Sequence, residues 1–147
     1  GVILNRPLNE SVRALWQKLG ESSCRINQKL NLGGPVSGPL IALHDLESLS
    51  DFRVLPGLCV SEQKESIQQL VQLPDKPMRI YVGHAGWSAQ QLEEEITEGA
   101  WHVMPARIEH VFCDSEYMWL AAMQEIGLAF YHEVLGIDYV PADVTMN

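Results

Sequence analysis

Two stretches interrupt the apolar rhythm of this chain so firmly that they dictate what can flank them. GGPVSGP, residues 33 to 39, separates QKLNL from LIALH, and GHAGWSAQQLEEE, residues 83 to 95, separates MRIYV from a run with helical character. Glycine supplies positive φ and close backbone approach, whereas proline removes a ladder donor. The first stretch is therefore expected to be neither helix nor central strand. Both read as loops that follow strands. Strands stopped by glycine turns, with amphipathic helices between them, make a mixed α/β chain, and 147 residues is the size of one compact domain.

GVIL reads as a buried strand closed by Asn5, Arg6 and Pro7. Asn9 is the expected N-cap of a first helix carrying Val12, Leu15, Trp16 and Leu19 and stopped by Gly20. FRVLPGLCV divides into two extended pieces at Pro56-Gly57, after which Ser61 is expected to cap a helix that buries Ile67, Leu70 and Val71. MRIYVG is a strand, SAQQLEEEITEG a third helix closed by Gly99, and AWHVM a further strand candidate. A last helix starts near Asp114, buries Trp119, Leu120, Met123 and Ile126, and stops at Gly127. Residues 128 to 147 show weak periodicity and read as an irregular C-terminal part.

Ser88 lies where a nucleophilic serine could sit, but the second glycine of G-x-S-x-G is replaced by Gln90. A helix cap accounts for it better. Its hydroxyl can accept the Gln91 amide, the Gln91 side chain can reach back, and Trp87 and Leu92 have the spacing of a hydrophobic staple. No catalytic residue is assigned. The cysteines, Cys24, Cys59 and Cys113, form no C-x-x-C pair, and the five histidines show no metal-ligand spacing, so neither a metal nor a cofactor is expected. GGPVSGP does not match the common phosphate-cradling glycine motifs.

The net charge of −9 opposes nonspecific attraction to nucleic acid. Charge is uneven, however, with five basic against two acidic side chains in residues 1 to 30 and five against seventeen beyond. No apolar run approaches the roughly 20 residues that cross a bilayer, and the cysteine pattern fits a reducing cytoplasm.

GVILNRPL, the GGPV loop, Leu43-His44, GHAGWSAQQLEEEITEGAW and VFCDSEYMW together resemble the YqgE/AlgH family of small bacterial proteins, from Gly1 to about Gly127. The resemblance implies an α+β fold, a strongly twisted, partly barrel-like mixed sheet flanked by about four helices, in one domain over residues 1 to 147. It also implies a further strand-rich segment upstream, in keeping with a chain that opens on Gly1 inside an apolar run. Members usually carry an aromatic residue at the position of His84 and glycine at those of Ser88 and Gln90, which speaks against serine catalysis as a family activity. Their molecular function is unassigned, and they are often labelled transcriptional regulators. The expected function is thus a binding or interaction domain whose partner is an unidentified protein or small molecule, without membrane insertion or direct DNA binding. The alternatives are a small-ligand binder or enzyme using the glycine loops, and a regulator. Candidate ligand-binding residues are Asn5, Arg6, Gly33, Gly34, Pro35, His44, Gly83, His84, Gly86 and Trp87. The two loops are expected to converge, with Trp87 buried between sheet and helix and free backbone amides forming a small anion niche beside Arg6.

Overall fold

The computed structural model describes residues 1 to 21 and 23 to 136. Among them are six strands and five α-helices, in the order β1 (Pro7–Ser11), α1 (Val12–Lys18), β2 (Lys29–Leu32), β3 (Val36–His44), β4 (Phe52–Leu55), β5 (Leu58–Ser61), α2 (Lys64–Leu70), β6 (Met78–His84), α3 (Ala89–Thr97), α4 (Ile108–Phe112) and α5 (Ser115–Leu135). The strands form one mixed sheet in the order β1-β2-β6-β3-β5-β4. It is open, with β1 and β4 at its edges. Only β2 and β6 run parallel; the other neighbours are antiparallel.

Alternation along the strands sends side chains to two separate cores. Ala42 and Ile80 face one side, where Val12 and Trp16 of α1 and Ile67 and Leu70 of α2 cover them. Ile41, Leu43, Leu58, Val60 and Tyr81 face the other, and there, among the described residues, Val111 and Phe112 of α4 and the segment carrying Val2 and Leu4 pack over them. Each fully buried aliphatic side chain contributes about 1.5–3 kcal/mol, so the first core is the principal source of stability. The second sheet face is only partly roofed.

Several elements differ from expectation for identifiable reasons. GVIL makes no regular ladder, and Leu4 already belongs to a turn. The segment bridges the glycine loops through Ile3 N to the Gly33 carbonyl (2.8 Å) and Ala85 N to the Gly1 carbonyl (2.9 Å). Asn9 lies in β1, an edge strand, and the N-cap of α1 is Ser11, whose hydroxyl accepts the Ala14 amide at 3.1 Å. Residues 36 to 39 join interior strand β3, where a shift of register between Val36 and Leu40 accommodates Pro39. Ser61 ends β5 without capping α2, because its hydroxyl is committed to His44 and to the Leu49 carbonyl.

AWHVM forms no strand. The last helix passes through Gly127 to Leu135, since glycine inside a long helix costs only about 1 kcal/mol, and this corrects the irregular reading of residues 128 to 135. The stretch VPADVTMN lies outside the described residues. Trp119, Leu120 and Met123, expected to be buried on this helix, are 68%, 54% and 37% exposed. Among the described residues no helix is long and apolar enough to cross a membrane.

Candidate functional site

The glycine loops do lie side by side, but so closely that no niche remains between them. A Cβ on Gly33 would stand 2.2 Å from the Gly83 carbonyl oxygen, and one on Gly34 2.2 Å from the His84 carbonyl carbon. Gly83 has φ +73 and would meet the Gly34 oxygen at 2.7 Å. These glycines are thus required by backbone-to-backbone contact. The Gly33 amide donates to the Val82 carbonyl at 2.9 Å, and the Ala85 amide to Gly1, so neither is free to hold an anion. Pro35 and Gly86 are exposed beside this contact.

Arg6 and Asn5 are also exposed. The Arg6 carbonyl accepts the Leu32 amide at 2.8 Å, which seats its backbone next to the loop, while its guanidinium has no ion pair among the described residues. Trp87 is half-buried and leaves Leu92 exposed. It packs edge-to-face on Trp101, with ring centroids 5.4 Å apart and planes at 80°. Both indole N–H groups donate to Glu95 Oε2, at 3.1 Å from Trp87 and 2.7 Å from Trp101. The staple expected between Trp87 and Leu92 is therefore replaced by a clasp that fastens the segment after α3 to the helix itself. Ser88 caps α3 as expected, accepting the Gln91 amide at 3.1 Å, but the Gln91 side chain turns to Glu95 instead of reaching back. Hydrogen bonds from Trp101 and Gln91 hold the Glu95 carboxyl below its ordinary range.

His44 belongs elsewhere. It pairs with Met78 at the end of β6 opposite His84, about 20 Å of strand from the loops. It is fully buried; its Nδ1 accepts the Leu46 amide at 3.1 Å, so the proton rests on Nε2, which donates to Ser61 Oγ at 2.9 Å. Ser61 in turn donates to the Leu49 carbonyl. A nucleophilic serine needs the reverse polarity, with the imidazole accepting the hydroxyl proton. This Ser–His pair is a structural tie. Burial pushes the His44 pKa down, against the opposing influence of Asp45 and Asp51. Among the described residues no group of three His, Cys, Asp or Glu is placed to hold a metal.

Two clefts among the described residues have room for another molecule. The first, about 530 Å³, is the unroofed part of the second sheet face. Ile41, Leu43, Leu58 and Val60 form its floor, Phe52 and Val54 of edge strand β4 its exposed wall, and His84 and Glu62 its polar rim. The second, about 640 Å³, lies where β2 and β6 begin, near the start of α5, and gathers Lys29, Lys76 and Arg79. Of the residues expected at a ligand site, only His84 borders either cleft. Sequence alone does not single out Phe52 and Val54, because alternation in FRVL marks a face without saying whether anything covers it. Arg79, the one charge inside MRIYV, was a signal for the other cleft.

Comparison with known proteins agrees with this architecture. The chain is 34% identical over 134 residues to a UPF0301 protein of Chlorobaculum tepidum, covering 86% of this chain and 70% of that one. A UPF0301 protein of Thermobifida fusca is 32% identical over 163 aligned positions, covering 100% and 78%. The solution structure of the AlgH protein from Pseudomonas aeruginosa superposes with a TM-score of 0.70 at 25% identity, over 97% of this chain and 78% of that one. The AlgH-like family profile matches residues 1 to 131, and the chain belongs to that family.

Proposed function

We propose that this chain is a non-catalytic interaction domain that receives an apolar protein segment on its partly roofed sheet face. One observation carries the reading. Phe52 and Val54 are 53% and 55% exposed and adjoin a floor of four buried aliphatic side chains, an arrangement that water disfavours and a partner would cover. The exposed aromatic rings of Tyr117 and Trp119 on α5 add apolar surface of the same character. The polarity of the His44–Ser61 pair and the capping role of Ser88 weigh against serine chemistry. Three free cysteines, Cys24, Cys59 and Cys113, favour a cytoplasmic location.

A small amphipathic ligand is the second reading, favoured by the imidazole of His84 at the rim of the same groove. Replacing Phe52 and Val54 together by serine tests both. Affinity capture with wild-type and variant chains is expected to lose at least one partner protein with the variant, while the thermal midpoint stays nearly unchanged because both side chains are exposed. Identical partners captured by the two chains would overturn the interaction reading. Native mass spectrometry showing a bound small molecule that the variant loses would support the second.

A further inference from the structure

The four lysines of the chain fall into two pairs. Lys18 and Lys64 each lie 2.6 Å from a carboxylate, that of Glu10 and that of Glu21. Lys29 and Lys76 make no ion pair among the described residues, and both border the 640 Å³ cleft at the start of β2 and β6. In a chain with 19 acidic and 10 basic side chains, chance would more readily leave acids unpaired than lysines.

A third cation joins them. Asn31 pairs with Tyr81, so Lys29 and Arg79, each two residues earlier on parallel strands, stand level on one face of the sheet. The Arg79 guanidinium donates to Ser115 Oγ at 2.8 Å and to the Cys113 carbonyl, which fixes its position without neutralising its charge. Asp114 and Glu116 also border the cleft, but the Asp114 carboxylate is turned to the Glu116 amide, accepting at 3.1 Å. Gln28 supplies an independent sign: its Nε2 is buried at the cleft and has no hydrogen-bond acceptor among the described residues, a costly state for a donor. Phe112, Pro7 and Pro77 give the remaining wall an apolar character.

We propose that this cleft binds a small organic oxyanion, a phosphate monoester or a carboxylate. Lys29, Lys76 and Arg79 hold the charged group, the Gln28 amide donates to it, and Phe112 with the two prolines receives the carbon skeleton. Three cations from two segments of the chain match a multidentate oxyanion better than a single charge. The cleft shares no residue with the apolar groove, so this site stands or falls independently of the proposed interaction surface.

The test is an amide NMR titration of the whole chain with inorganic phosphate and, separately, with succinate, ionic strength being held constant with sodium chloride. The expected result is a saturable shift confined to residues 28 to 31, 76 to 79 and 112 to 116 with at least one of the two. A response to phosphate alone identifies the phosphate class, one to succinate alone the carboxylate class, and one to both the shared oxyanion chemistry. The double substitution Lys29→Ala with Lys76→Ala removes two exposed side chains and is expected to leave the amide spectrum native. It should weaken binding by at least about tenfold, as losing charge-assisted contacts does. No saturable response to either anion, shifts centred elsewhere, or equal affinity in a natively folded double variant would overturn the proposal. Should that variant not fold, Gln28→Leu takes its place, with weaker binding expected and unchanged binding counting against the site.

Discussion

At single positions, hydrogen-bond polarity separates structure from chemistry in this molecule. The imidazole of His44 is held neutral by an amide donating to Nδ1 and by burial that depresses its pKa. The unfolded chain, with an ordinary histidine titrating at about 6.5, therefore binds a proton that the folded chain refuses. The stabilisation is complete above that value and is lost as pH falls through the window between it and the lower folded pKa. Thermal midpoints are expected to drop between pH 7.5 and 5.5, and to drop less in His44→Gln, where this group no longer titrates. Equal slopes in the two proteins would show that other groups set the acid sensitivity. Tyr81 behaves in the opposite sense for the same reason, its phenol pushed up to about 12 by burial, partly offset by nearby Arg79.

Helix α3 shows what local sequence can specify by itself. It buries no residue, yet a serine begins it and Gly99, at φ +78, closes it, both as expected from the sequence. Ser88→Ala should loosen its first turn by about 1 kcal/mol and Ser88→Gly by a few tenths. Hydrogen exchange of the amides from Gln91 to Glu94 is the place to measure it, since global melting should hardly change. An equally large fall in the melting midpoint would mean that α3 is coupled to the sheet. The β4–β5 hairpin across Pro56-Gly57 and the buried stripe Ile67, Leu70 and Val71 were legible for similar reasons, being local signals of turn and period. Less was legible in α5, whose residues are apolar on several sides, so that periodicity could not choose between Met118, which is buried, and Trp119, which is exposed. Nor could sequence predict β1, a polar edge strand defined only by its pairing with β2, or the cleft that unites Lys29 with the distant Lys76.

For the molecule as a whole, Lys18 is the one basic side chain of the first thirty residues that is ion-paired among the described residues. It is neutralised by Glu10, and Arg13 turns onto the Arg25 carbonyl at 3.3 Å, while Lys29 faces the cleft. With 19 acidic side chains against 10 basic, specific nanomolar binding to duplex DNA near physiological salt is not expected. A salt titration showing tight binding to one duplex over random competitor would refute this. The strand order has a consequence of another kind. β6 lies between β2 and β3, although more than thirty residues separate the end of β3 from its beginning. On the ribosome, β2 and β3 both emerge with one edge unsatisfied, and neither can be sealed until residues 78 to 84 have left the exit tunnel. Assembly must close the sheet from its middle, through contacts remote along the chain, so the nascent protein passes through a stage exposing two bare strand edges to whatever else the cell is making.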